Sequence, residues 1–170
     1  MAYIVQNMTL IPQNLDWSCW YASAQMLINW KMDQRQQSMM GLIPPELDAE
    51  CAKLRDDNKG IANPQIIKMA KRLGLAAIPP MSPSPEALES WFQQYGPLWV
   101  NGKTHIVVLA GIRKNGSGDY EVKVYDPSPV NVGNIGWRSL MNWYAMGNQV
   151  DSRDTSKGVE TVFLYVPDTF

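Results

Sequence analysis

The chain has 170 residues, 45% of them hydrophobic, and its 15 basic and 16 acidic side chains leave a net charge of −1. This balance offers no basic field for a phosphate backbone, which argues against nucleic-acid binding. No apolar run approaches the length of a membrane span, and the first residues lack the pattern of a signal peptide, so we expect neither feature. Length and composition predict a single domain over residues 1–170.

The first half of the chain is predicted to be helical. Residues 19–33 contain no glycine or proline and repeat apolar side chains at helical spacing, which indicates a buried helix. A second helix is predicted near 46–57, a third over 63–74 with Asn63 as N-cap, and a fourth over 84–96. The register of the third helix predicts four inward residues: Ile66, Ile67, Ala70 and Leu73.

The second half is predicted to form strands. Four β-branched and aromatic runs lie between turn residues: LWV, HIVVLAGI, YEVKVYD and TVFLYV. A Gly- and Asn-rich hairpin connection is predicted at 114–119, a short helix around Trp137 to Met146, and a polar loop over 151–158. Helices followed by an antiparallel sheet predict an α+β domain.

The chain contains two cysteines and one histidine, His105, which limits the chemistry. Any mechanism that needs an imidazole must use His105, and zinc sites with several histidines are excluded. A mixed site from Cys19, Cys51 and His105 lacks the short spacings of metal motifs. The glycines form no phosphate cradle, and we expect neither a metal nor another cofactor.

Cys19 lies where a loop gives way to the predicted buried helix, so its sulfur is expected at a helix N-terminus. Free backbone N–H groups and the helix dipole stabilise a thiolate there, which is the nucleophilic form of cysteine. Gln13, six residues earlier, can turn its amide toward the same place and form an oxyanion hole with the Cys19 N–H. Cys51, in the middle of a predicted helix, is expected to be structural, and a small buried side chain is the alternative for Cys19 also.

His105 opens a predicted strand, and Asp126 ends the next one. If the two strands form a hairpin, the Asp126 carboxylate returns beside the imidazole, where it can fix the ring's tautomer and orientation. Asn131 is a weaker candidate for that role. The alternatives are a hydrogen-bonded edge histidine and an Asp-Pro turn without a catalytic duty.

The segment QNLDWSCW resembles the active-site loop of papain-like cysteine peptidases, with Gln six residues before Cys and Ser-Cys-Trp intact. The second half resembles their compact bacterial branch, which includes double-glycine leader peptidases and staphopain-like effectors. The resemblance covers nearly the whole chain and is most specific at 13–20, 104–112 and 124–128. It implies a papain-like α+β fold in which the nucleophile helix of the N-terminal half packs on a C-terminal antiparallel sheet.

Carried over to this sequence, the resemblance implies Cys19 as nucleophile, His105 as general base and acid, Asp126 as orienter and Gln13 as oxyanion donor. Plant papains use Asn where this chain has Asp126. The Cys-Gly usual in the papain loop is replaced by residues 16–17, so the disulfide of that loop is absent and a differently shaped cleft is expected.

The implied activity is that of a cysteine endopeptidase acting on a protein or peptide substrate. Because no recognisable pro-segment precedes Gln13, we expect a secreted bacterial toxin or effector domain, either cytoplasmic or delivered into a target cell by a secretion system. A cognate immunity or inhibitor protein is then an expected partner. A deamidase, transglutaminase or acyltransferase can use the same triad, and a papain-like binding module without catalysis is the alternative outside enzymes.

Overall fold

A computed structural model of the chain describes residues 2–37, 43–78, 83–101, 105–140 and 162–170, and these pair four helices with one antiparallel sheet. The helices are α1 (Cys19–Gln34), α2 (Ala49–Asp56), α3 (Asn63–Leu73) and α4 (Pro85–Tyr95). The strands are β1 (Ala2–Ile4), β2 (Ala76–Ile78), β3 (Leu98–Asn101), β4 (Ile106–Lys114), β5 (Tyr120–Asp126), β6 (Asn134–Ser139) and β7 (Phe163–Tyr165). None of the described helices is long and apolar enough to cross a membrane.

β4 is the central strand of the sheet, and it is buried from Ile106 to Ile112. The strand order is β2-β7-β3-β4-β5-β6. Strand β1 also pairs with β4, on the same side as β3: β3 pairs with residues 106–109 of β4 and β1 with residues 111–113. The helices α1 and α4 both contact β4. Burial on both faces explains why this strand is a continuous apolar run in the sequence.

Two buried indoles link α1 to its surroundings. Trp20 and Trp99 are both fully buried, and each indole N–H finds a backbone carbonyl. Trp20 Nε1 donates to the carbonyl of Lys59 at 3.0 Å, and Trp99 Nε1 donates to the carbonyl of Trp20 at 3.1 Å. The rings therefore supply apolar area without leaving a buried donor unpaired.

The helices follow the sequence predictions with local corrections. α1 and α4 are confirmed, and the Ser84 side chain accepts the Ala87 N–H at the start of α4. α2 begins only at Ala49, after a turn over 44–47. In α3 the N-cap is Ala62 and not Asn63, because the helix begins one residue earlier than the Asn-Pro signal indicates.

The predicted inward face of α3 is correct at Ile66, Ala70 and Leu73 and wrong at Ile67, which is 49% exposed. Met69 is buried in its place. Ile67 follows Ile66 by about 100° around the helix, which turns it out of the stripe that faces the core.

The strands needed larger corrections. The four predicted runs all contain strands, but β1, β2 and β6 were not predicted, and the first two belong to the half expected to be helical. The helix expected around Trp137 to Met146 is wrong at its start, because 134–139 pairs with β5 along its whole length. Residues 141–146 and the loop at 151–158 lie outside the described residues.

Gly96, at the end of α4, offers a test of the packing. Its φ of 81° and ψ of −144° suit glycine, and a Cβ there would lie 2.3 Å from the Trp30 ring. We expect Gly96→Ala to lower the free energy of unfolding by about 2–4 kcal/mol through backbone strain and overpacking. Urea denaturation measures this, with Gly116→Ala as control, because nothing lies within 4 Å of that Cβ position. Equal stability of the two variants would contradict the packing described.

Candidate active site

Cys19 is the first residue of α1, and its surroundings leave the helix N-terminus open. The Ser18 hydroxyl does not cap the helix; it bonds instead to the preceding loop, at Asn14 and Leu15. Among the described residues, no group accepts a hydrogen bond from the Cys19 N–H. The half-buried sulfur therefore lies beside a free backbone donor at the positive end of a helix.

His105 lies directly before β4, and its Nε2 is 2.5 Å from Asp126 Oδ1. Cys19 lies close enough to the same ring to influence the pKa of His105. Because Nε2 faces the carboxylate, Nδ1 is the ring nitrogen left for the sulfur. Burial opposes the imidazolium, but the hydrogen bonds and negative charges of Asp126 and Cys19 outweigh burial and raise the pKa of His105 to about 10.

A register shift in the β4–β5 hairpin aligns Asp126 with His105. Near the turn, Ile112 pairs with Val122, whereas further on Leu109 pairs with Val124, so β4 contains one extra residue. Continuing the second register sets Asp126 opposite position 107, which shares a face with position 105. Without the bulge Asp126 would be opposite position 108, on the other face of the sheet.

Asp126 is only 5% exposed, and donors from three parts of the chain surround its carboxylate. Oδ1 is within hydrogen-bond reach of His105 Nε2 and accepts the Ser128 N–H at 2.9 Å, while Oδ2 accepts Arg138 Nη2 at 2.9 Å. Burial alone raises the pKa of the Asp126 carboxyl. The hydrogen bond and charge of His105, followed by the hydrogen bonds of the Ser128 N–H and of Arg138, hold that pKa below its usual range.

Sequence reasoning missed Arg138, which lies in the segment expected to be helical. Its guanidinium reaches Asp126 only because β6 pairs with β5, and no spacing in the sequence signals that pairing. The segment 134–139 contains a glycine and shows no alternation of apolar and polar residues that would separate a strand from a helix.

Gln13 is 3% exposed and joins the nucleophile loop to the Asp126 loop. Its backbone N–H donates to the carbonyl of Pro127 at 2.9 Å, and its carbonyl accepts the Asn131 N–H at 2.8 Å. Its side-chain Nε2 donates to the carbonyls of Leu15 and Asp16, each at 2.9 Å. Both amide hydrogens are thus engaged by the loop that leads to Cys19, and Oε1 is buried without a partner among the described residues.

Asn131, the weaker candidate, has a left-handed backbone with a φ of 61° and contributes its N–H to the Gln13 carbonyl. The carboxylate of Asp126, and not the Asn131 side chain, is the group in contact with His105. The structure therefore brings together Cys19, His105 and Asp126, and it brings Gln13 to the loop beside them.

Cys51 lies in α2 and is 2% exposed, with its sulfur 3.7 Å from Arg72 Nη2. Burial, together with the negative charge of Asp48, raises the pKa of its thiol to about 12. Among the described residues no three Cys, His, Asp or Glu side chains form a group that can hold a metal. Cys51 therefore serves as an internal reference for Cys19.

The geometry predicts unequal reactivity of the two thiols. At pH 6 we expect iodoacetamide to alkylate Cys19 much faster than Cys51, because Cys19 is half-buried beside a cationic imidazole, whereas Cys51 is buried and the pKa of its thiol is raised. His105→Ala should slow alkylation of Cys19 by about 10²-fold, because the counter-charge is removed. Peptide mapping by mass spectrometry measures both rates. Slow, equal labelling of the two cysteines in the unaltered chain would contradict the contact between His105 and Cys19.

Comparison with known proteins assigns the chain to a family. A search of curated proteins found no match. The crystal structure of UfSP from C. elegans matches with a TM-score of 0.61 at 15% identity, and the alignment covers 98% of this chain but 34%, about a third, of UfSP. The family described as papain-like cysteine protease AvrRpt2 matches residues 3–146. Because that match covers most of the sequence, the chain belongs to the papain-like cysteine protease AvrRpt2 family, and it is an α+β cysteine peptidase, as the sequence resemblance predicted.

Proposed function

We propose that the chain is an endopeptidase that hydrolyses peptide bonds of a protein substrate with Cys19 as nucleophile, His105 as general acid and base, and Asp126 as the residue that orients His105. The observation that supports this most directly is the 2.5 Å approach of the imidazole to the Asp126 carboxylate, with Cys19 near enough to act on the same ring. A nucleophile, a base and an orienting group in series are what covalent catalysis by cysteine requires.

The raised pKa of His105, about 10, favours an imidazolium at neutral pH, which puts a positive charge and an acidic proton beside the Cys19 sulfur. In the proposed reaction the Cys19 sulfur bonds to the scissile carbonyl carbon, and the C–N bond breaks as His105 transfers its proton to the leaving amine. His105, now neutral, takes a proton from water, whose oxygen attacks the thioester. Cys19 leaves as a thiolate, and the carboxylic acid product is released.

The carbonyl oxygen gains negative charge during both attacks and needs donors. The free N–H of Cys19 is one such donor. We propose that Gln13 supplies the second by exchanging the carbonyl of Leu15 or Asp16 for the substrate oxygen. The exchange conserves the number of hydrogen bonds, and the oxyanion is a stronger acceptor than a neutral carbonyl.

We further propose a biological setting: a toxin or effector domain that acts on a protein of another cell and is matched by an immunity or inhibitor protein. This proposal rests on the likeness of the sequence to the compact bacterial branch of papain-like peptidases.

The peptidase proposal is tested by comparing new protein N-termini after the chain is added to a bacterial and to a eukaryotic lysate. We expect new termini with the unaltered chain and none with Cys19→Ala, because the acyl-enzyme cannot form. N-terminal labelling and mass spectrometry identify the cleaved bonds. Cys51→Ala is the matched control and should give the same termini as the unaltered chain.

Two results would contradict the proposal. New termini that persist with Cys19→Ala would exclude Cys19 as nucleophile. An absence of new termini, together with mass shifts of Gln side chains or acylated lysines in the same lysates, would assign the site to a deamidase or an acyl transferase.

A second test separates the oxyanion role of Gln13 from its role in the loop. On a peptide that spans a cleaved bond, Gln13→Ala is expected to lower kcat by about 10²–10³-fold, because one oxyanion donor is lost. Alkylation of Cys19 should stay within a few-fold of the unaltered rate, because no oxyanion develops in that reaction. A parallel loss of both rates would show that Gln13 acts by holding the loop through Leu15 and Asp16.

A further inference from the structure

Arg138 reaches Asp126 along the face of the sheet. In the pairing of β5 with β6, Arg138 is opposite Val122 and Asp126 is opposite Asn134. Side chains alternate along a strand, so positions 134, 136 and 138 share the face that carries Asp126. Position 136 is a glycine, and no side chain there obstructs the path of the long arginine to the carboxylate. The 2.9 Å contact of Nη2 with Oδ2 follows from this arrangement.

The two oxygens of the Asp126 carboxylate have different partners. Oδ1 faces His105 and the Ser128 N–H, whereas Arg138 is the partner of Oδ2. A carboxylate held at both oxygens cannot rotate, so Oδ1 keeps its direction toward the imidazole. Without the guanidinium, Oδ2 would be a buried acceptor without a charged partner.

Arg138 is poorly explained as a residue that only stabilises the fold. Its side chain is 18% exposed, and Nη1 is buried without a partner among the described residues. A guanidinium that is buried with one amino group unpaired carries a desolvation cost that an apolar side chain would avoid. Arg113 shows the contrasting case, because its partner Glu121 and the Trp137 ring lie on the other face and its side chain is 43% exposed.

We propose that Arg138 is a positioning residue of the active site, which holds the Asp126 carboxylate ionised and directs its Oδ1 toward His105. The proposal rests on the proposed roles of His105 and Asp126. It adds Arg138 as a fourth residue to the proposed triad. Arg138 does not contact Cys19 in this arrangement; it acts through the carboxylate.

Among the described residues, three charged or titratable groups face this end of the sheet with Asp126. They are His105 ahead of β4, Cys19 of α1 reached through His105, and Arg138 of β6. Lys123 and Tyr125 alternate to the opposite face of β5. A change in the charge at position 138 therefore acts first on the carboxylate.

The test is the pH profile of Cys19 alkylation, measured by mass spectrometry, with tryptophan fluorescence as a check of folding at each pH. Protonation of Asp126 weakens its hold on the imidazolium, so the alkylation rate falls at acidic pH. We expect Arg138→Met to move this acidic limb to higher pH by about one unit, because the carboxylate loses a neighbouring cation. Arg138→Lys keeps a cation at this position and should therefore show little of the shift, and Arg113→Met should leave the profile unchanged.

Two further variants keep the test informative if Arg138→Met folds poorly. Gly136→Leu leaves both charged residues in place but inserts a side chain into the path of Arg138, so it should shift the limb in the same direction. Gly136→Ala is its control, because a Cβ there meets only the Asn134 side chain, at 3.5 Å. In an Asp126→Asn background, Arg138→Met should cause no additional shift.

The outcomes separate this inference from the proposed function. If His105→Ala alkylates as fast as the unaltered chain, the proposed roles of His105 and Cys19 are wrong. If His105→Ala is slow but Arg138→Met leaves the limb where it was, the triad stands and the role of Arg138 is overturned. A shift that persists in the Asp126→Asn background also overturns it, because Arg138 would then act on another group.

Discussion

The candidate site depends on one buried charge, the carboxylate of Asp126. Placed at the end of β5 and almost closed to water, it must be surrounded by donors to remain ionised. The donors come from the residue before β4, from the turn after β5 and from β6, so the requirement draws three segments to one point. The same turn continues into the backbone pairing with Gln13, which brings the nucleophile loop to that point as well.

Cys19, the other part of the site, is the first residue of α1, and the apolar side chains of this helix are buried over most of its length. Ser23, buried on this helix, donates its hydroxyl to the carbonyl of Ile106 at 3.3 Å, one residue after His105. The indole of Trp99 adds a second tie to the first turn of α1. Packing and these hydrogen bonds together set where the helix begins relative to the imidazole. The reactive pair therefore depends on a core shared by both halves of the chain.

Predictions from the sequence succeeded where the signal is local. Ser84, Pro85 and Gly96 determine the ends of α4 by their own backbone and side-chain chemistry, and the structure agrees. The predictions failed where secondary structure is decided by strand pairing. β6 contains a glycine and shows no clear hydrophobic periodicity, and it becomes a strand because it pairs with β5 along its whole length. Ile67 shows a smaller failure of the same kind, since only tertiary packing decides which of two adjacent isoleucines is buried.

The sequence by itself determined the chemistry available to this protein. A single histidine, a cysteine at the start of a buried helix and an aspartate that ends a strand are properties of residue type and local position. The resemblance of the loop before Cys19 to that of papain-like cysteine peptidases predicted the family. Only the tertiary structure decided the geometry. The bulge in β4 puts Asp126 on the same face as His105, and the pairing of β6 brings Arg138 to its second oxygen. Both depend on strand register, which results from the packing of distant segments and leaves no local trace in the sequence.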